Sequence, residues 1–162
     1  MLTSDQLKRA VLAHIEAENA RDVDAVLDTT ADRVEYHVYG PHYPDDPRVS
    51  MLAAAGHDEL RRFWERTYEL FSGYLAECEE ADITVVPDRN LAFAVFRVTL
   101  TPSREFEGLP AGRPFRSYSV ASLEFDDTGQ LVRETIYGSI GFVLAGLRRM
   151  REFLAEQPPR QS

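Results

Sequence analysis

Apolar and polar positions change period along this chain, and the changes predict its elements. From about Ser4 to Asn19, Leu7, Ala10, Val11 and Ile15 recur at helical spacing. Thr3 and Gln6 stand ahead of them at the spacing of a capping box. A break at Arg21 and Asp22 precedes a second, shorter helix from about Val23 to Thr29. The period then drops to two. In RVEYHV, residues 33–38, Val34, Tyr36 and Val38 alternate with Arg33, Glu35 and His37, the pattern of a strand with one dry face and one wet face. GPHYPDDPRVSMLAAAG, residues 40–56, has neither period and reads as a long loop of the kind that rims or covers binding sites.

Helical spacing returns in HDELRRFWERTYELF, where Leu60, Phe63, Trp64, Thr67 and Phe71 share a face. Four extended segments follow: YLAECEEADITVVP, NLAFAVFRVTL, RPFRSYSVASLEF and QLVRETIYGS. The DDTG between the last two is the clearest hairpin signal. IGFVLAGLRRMREFLAE has the character of a closing helix, and the chain ends in a polar tail, residues 156–162. Residues 1–155 read as one domain. Helices first and a long antiparallel run afterwards predict an α+β fold with helices packed on one face of a curved sheet, which leaves an interior pocket.

Composition narrows the ligand. The 162 residues are 44% hydrophobic and 10% aromatic, enough for a real core. A formal charge of −9, with no run of Lys or Arg, argues against nucleic acid and anionic membranes as partners and makes a small neutral or weakly charged ligand easier to accommodate. The single cysteine, Cys78, has no partner for an internal disulfide, and no paired Cys/His spacing suggests a metal site. The first residues enter a capped helix with no apolar leader, so a reducing, cytoplasmic setting is expected.

Three phrases, ENARDVDAVLDTTADRVEYHVYG, GHDELRRFW and ASLEFDDTGQLVRETIYGS, resemble the recurring blocks of the nuclear transport factor 2-like superfamily in its SnoaL-like polyketide cyclase branch. The resemblance spans roughly residues 5–145. It implies a cone-shaped fold, with three helices in front of a strongly bent antiparallel sheet and a ligand cavity between them. It also implies a homodimer paired through the outer sheet face, for which Phe96 and Val98 are the expected apolar contacts. Activity by proton transfer on a hydrophobic small-molecule substrate, with no cofactor and no metal, is the corresponding expectation.

The acids that such relatives use are not where the resemblance would put them. The general base that ends the first strand in ketosteroid isomerases falls at Val38, and their oxyanion-binding acid at Ala121. The Arg and Asp pair of limonene epoxide hydrolases falls at Ser119 and Ala121, and the last-strand acid of SnoaL-like cyclases at about Ile136. The chain offers other groups on the same faces. Glu134 lies between Val132 and Ile136 on the cavity side of the last strand, where loss of solvent penalises its charged form and suits it to acid–base work near neutrality. His14 and Glu18 interrupt the apolar stripe of the first helix, and His14 falls where the isomerases carry a substrate-binding tyrosine.

The candidate site is therefore Glu134 as general acid or base, His14 as its partner and Tyr36 as a hydroxyl donor. Glu18, Val38, Trp64, Ser119, Ala121, Ile136 and Gly138 are expected to contact substrate, with Gly138 enlarging the cavity. The bland alternatives are an ion pair of Glu134 with Arg97 and a core His14 bonded to a backbone carbonyl. His42 and Tyr43 fall in the loop that could cap the pocket, and His57 at a helix start. Two functions follow: a cyclase, isomerase or epoxide-opening enzyme, or a non-catalytic scaffold whose polar groups satisfy one another.

Overall fold

The computed structural model describes residues 1–39, 51–106 and 109–137. The predicted closing helix, the polar tail, Gly138, His42 and Tyr43 lie outside them.

Helix α1 spans Ser4–Ala20. Its start is the predicted capping box: Gln6 N–H donates to Thr3 Oγ1 at 3.3 Å and Thr3 N–H to Gln6 Oε1 at 2.8 Å. It stops where Arg21 turns left-handed at φ 58°, and the Arg21 guanidinium then donates to the carbonyls of Phe71 and Tyr68 at 2.8 and 2.7 Å. That contact ties the end of α1 to the end of helix α3, His57–Leu70. Between them lies the short α2, Val23–Asp28, capped by the Asp22 carboxylate on the N–H groups of Asp24 and Ala25.

The strands are β1 (Thr30–Tyr39), β2 (Met51–Ala55), β3 (Phe71–Glu77), β4 (Ile83–Val86), β5 (Leu91–Pro102), β6 (Phe115–Phe125) and β7 (Leu131–Tyr137). They form one sheet in the order β2-β1-β7-β6-β5-β3, with β4 also on β5. The three helices and the curled sheet make the expected cone, an α+β half-barrel. Three details differ from the sequence reading. The sheet is mixed, because β1 runs parallel to β7 while the other pairs are antiparallel. The segment read as a single strand from Tyr74 to Pro87 is split by a 3₁₀ turn at Glu80–Asp82, so β3 and β4 pair with opposite ends of β5. The far end of the predicted loop pairs with β1 as β2, because Leu52, Ala53 and Ala54 can join a ladder that the prolines before them cannot.

Alternation along the strands sends one set of side chains inward, where α1 and α3 cover them. Val34 and Tyr36 on β1, Ala92, Ala94 and Phe96 on β5, and Ala121, Leu123 and Phe125 on β6 are all buried. They meet Leu7, Val11 and Ile15 of α1 and Leu60 and Trp64 of α3. Each large apolar side chain buried there contributes about 1.5–3 kcal/mol against exposure. The alanines at the centre of β5 and β6 keep that part of the wall thin, so the helices do not fill the cone completely.

Phe96 and Val98 belong to the inner face, not the outer one. The register of β5 puts Phe93, Val95 and Arg97 outside instead. At the final hairpin the Asp126 carboxylate accepts from Thr128 N, Thr128 Oγ1 and Gln130 N at 2.8, 2.6 and 3.0 Å, and Gly129 takes φ 90°. That turn sets β7 against β6 and so fixes the position of Glu134.

Candidate active site

Four segments converge on one buried cluster. His14 and Glu18, one helical turn apart, point from α1 toward the sheet, and Glu134 meets them from β7. Tyr36 and Glu134 are register partners across the parallel β1–β7 pair. His14 Nε2 lies 2.5 Å from the Tyr36 hydroxyl, 3.3 Å from Glu18 Oε1 and 3.7 Å from Glu134 Oε2. Tyr74 of β3 donates its hydroxyl to Glu18 Oε2 at 2.9 Å. His14, Glu18 and Glu134 are at most 6% exposed.

The other ring nitrogen settles the tautomer. The Thr29 hydroxyl donates to the Val26 carbonyl at 2.6 Å, so its oxygen faces His14 Nδ1, also at 2.6 Å, as an acceptor. Nδ1 therefore carries a proton in every state, and Nε2 is the nitrogen free to gain or lose one. Burial opposes charge on this imidazole, but the carboxylates of Glu134 and Glu18 outweigh it and raise its pKa to about 10. At neutral pH His14 is an imidazolium held between two acids. Burial raises the pKa of Glu18, against the pull of His14, and burial also pushes the Tyr36 and Tyr74 hydroxyls well above the usual tyrosine range. Glu134 Oε2 is buried with no hydrogen-bond donor among the described residues.

The cluster closes the buried end of a cavity of about 460 Å³, within the range of small-molecule sites. Its walls are apolar, with Phe63 and Trp64 from α3, Phe71 from β3, and Phe96 and Val98 from β5. Of the residues expected to contact substrate, Glu18, Val38, Trp64, Ser119 and Ile136 line it, as do His14 and Glu134. Two expected contacts are not part of the lining. Tyr36 is fully buried behind His14 and reaches the cavity only through its hydrogen-bonding partners; Ala121 is buried beneath, beside Ala94 and Ile136 in the ladder. Arg97 does not pair with Glu134, since it makes a two-pronged contact with Glu77 on the outer face at 2.9 and 2.7 Å. His57, at the start of α3 as expected, is within 3.0 Å of Thr30 Oγ1 and takes no part in the cluster.

Tyr74 and Thr29 were not legible as site residues. Tyr74 opened a predicted strand like any core aromatic, and Thr29 looked like a helix end. Nor did the sequence suggest a metal, because the donors sit on elements over a hundred residues apart. Among the described residues, one ligand atom from each of His14, Glu18 and Glu134 lies within 4.8 Å of the others, so these three would hold a metal ion only if His14 Nε2 gave up its proton to it. Their mixed nitrogen and oxygen donors would suit a divalent ion of borderline softness.

The profile of the SnoaL-like domain matches residues 11–134, well over half of the chain. The chain belongs to the SnoaL-like family of the nuclear transport factor 2-like superfamily. Solved structures agree on the fold of this SnoaL-like domain. IdmH of Streptomyces antibioticus, a candidate polyketide cyclase, is 22% identical with a TM-score of 0.66 over 88% of this chain and 99% of its own. A second candidate polyketide cyclase, xcc0381 of Xanthomonas campestris pv. campestris, is 24% identical with a TM-score of 0.64 over 87% and 96%. BvnE pinacolase of Penicillium brevicompactum reaches a TM-score of 0.65 at 11% identity, over 91% and 92%. At these identities the likeness establishes the fold alone. No curated protein matches the chain.

Proposed function

We propose that this SnoaL-like domain is a small-molecule enzyme that moves protons on a hydrophobic, oxygenated substrate held in the apolar cavity. The observation that carries the reading is the His14 ring fixed between the Glu18 and Glu134 carboxylates at the buried end of that cavity. Glu134, whose Oε2 has no donor, takes or returns the proton. The positive charge of His14, whose Nε2–H is engaged by Tyr36 and Glu18, stabilises the substrate oxygen on which negative charge develops. Thr29 and Tyr36 hold the ring, and Tyr74 holds Glu18. Cyclisation, epoxide opening and isomerisation or dehydration all need these elements, and the neighbours described as polyketide cyclases and a pinacolase are consistent with this class of chemistry. What favours an enzyme over a scaffold is that His14, Glu18 and Glu134 line the apolar cavity, where a substrate can reach them.

The protein is further proposed to work as a homodimer in the cytoplasm, where the Cys78 thiol stays reduced. No helix of the described residues is long and apolar enough to cross a membrane.

The test is a panel of epoxides, β-hydroxy ketones and enolisable polyketide-like ketones, with products and solvent deuterium incorporation read by mass spectrometry. Glu134→Gln should lower turnover about 10²- to 10⁴-fold while ligand still perturbs the fluorescence of Trp64. Unchanged turnover in that variant overturns the assignment, and a wild-type protein silent on the whole panel counts against the enzyme reading.

A further inference from the structure

The cavity has a second chemical end. Arg66 is exposed and also lines the cavity, which marks the place where the cavity meets solvent. Arg66 and Leu70 are shared with an adjoining surface depression of about 350 Å³, whose other walls are Arg62, Glu65, Glu69 and Arg104. Three guanidinium groups and two carboxylates leave that depression with one surplus positive charge, on a chain whose net charge is −9. Three other surface arginines are paired, Arg61 with Asp24, Arg97 with Glu77 and Arg133 with Glu35, while Arg9, Arg33, Arg89, Arg113 and Arg116 stand singly among the described residues. Among the described residues Arg62, Arg66 and Arg104 make no such pair, although two carboxylates share their depression.

Resting on the proposed substrate cavity, we infer that the ligand is a monoanion: an apolar body carrying a terminal carboxylate, with the body inside and the carboxylate on Arg66 and Arg104 at the mouth. The surplus charge matches a single negative charge. Guanidinium forks take carboxylates in a two-pronged geometry, which fixes orientation as well as adding affinity. The body would then enter with its far end toward His14 and Glu134, and the carboxylate would stay in solvent, spared the cost of burying a charge beside two acids. The basic mouth sets direction, and the acidic interior rejects the ligand inserted the other way round.

Trp64 is the single tryptophan and lines the cavity, so its fluorescence reports filling. The probes are 6-phenylhexanoate and 6-phenylhexan-1-ol, which share a body and differ in charge. Both should quench Trp64 in the wild type, with the acid binding about tenfold tighter and that preference shrinking in about 0.5 M salt. The double variant Arg66→Gln, Arg104→Gln should bind acid and alcohol alike, with the alcohol's affinity kept within about twofold, because both arginines are exposed and neither supports the core. Equal affinities in the wild type, or a preference that survives the double substitution, overturn the inference and leave the proposed enzyme standing. Failure of both probes to bind overturns the inference together with the ligand cavity on which the enzyme reading depends.

Discussion

Replacing His14 by glutamine removes the only cation from the buried cluster while keeping a side chain that can donate and accept hydrogen bonds, and its main signature should be in the pH dependence of stability. In the unfolded chain a histidine titrates near 6.5, whereas folded His14 titrates at about 10. The raised value means that the stability contributed by protonating His14 is fully present below pH 6.5 and is lost as the pH climbs through 10. Over that window the folded protein holds a proton that the unfolded chain has released, so each pH unit lowers stability by up to about 1.4 kcal/mol. The full interval sets an upper bound of about 5 kcal/mol. Relaxation and the coupled carboxylates reduce it, so a loss of about 2–4 kcal/mol between pH 7 and 10 is expected, or roughly 5–15 °C in Tm for a domain of this size. Thermal melts at half-unit steps, wild type beside His14→Gln, would show it. The variant should be less stable at pH 7, since two buried acids lose their counter-charge, and its Tm should vary much less across this window. A wild-type Tm that stays level from pH 7 to 10, or falls equally in both proteins, would refute the imidazolium and with it the charge arrangement of the site.

Two further outcomes follow from other contacts. Thr29→Val strands the Nδ1–H of His14 without an acceptor, which should cost about 1–3 kcal/mol and shift the Nδ1–H signal in nitrogen NMR. Thr29→Ser should restore both, and an unchanged Nδ1–H signal in the valine variant would show that Thr29 does not hold the ring. On the outer sheet face, Val95, Val120 and Tyr137 are cross-strand neighbours, each exposed by 41–44%. Sedimentation should find a dimer that Val95→Glu with Val120→Glu dissociates; a monomeric wild type at micromolar concentration would rule out pairing through this face.

Periodicity carried most of the fold because each element buries one face. The α1 capping box, the β1 alternation and the Asp126 turn are local signals, and the structure places them where the sequence did. His14 and Glu18 were visible as candidates because they break an apolar stripe, and Glu134 because it is flanked by apolar neighbours. What could not be read depends on contacts between distant segments. The 3₁₀ break at Glu80–Asp82 follows from how β3 and β4 share β5, and the inward turn of Phe96 and Val98 from strand register, since alternation alone leaves the two faces interchangeable when Val95 and Phe96 are both apolar. Thr29 gains its role only from the ring that α1 brings against it, and Tyr36 is set back from the cavity because the imidazole stands in front of it.

The parallel pairing of β1 with β7 makes the order of assembly matter. Tyr36 and Glu134 are neighbours in space across 98 residues of chain, so the polar cluster exists only after the longest excursion of the fold has closed. Such distant pairing is slow to form, and during synthesis the two helices and the first strand emerge long before the strand that carries Glu134. Until then His14 and Glu18 would face each other without the second acid, and β1 would offer an open edge to any extended chain nearby. A product ending before residue 131 therefore lacks more than one catalytic carboxylate: it lacks the strand that joins the two halves of the sheet, and it should be lost to aggregation and not accumulate as a folded, inactive protein.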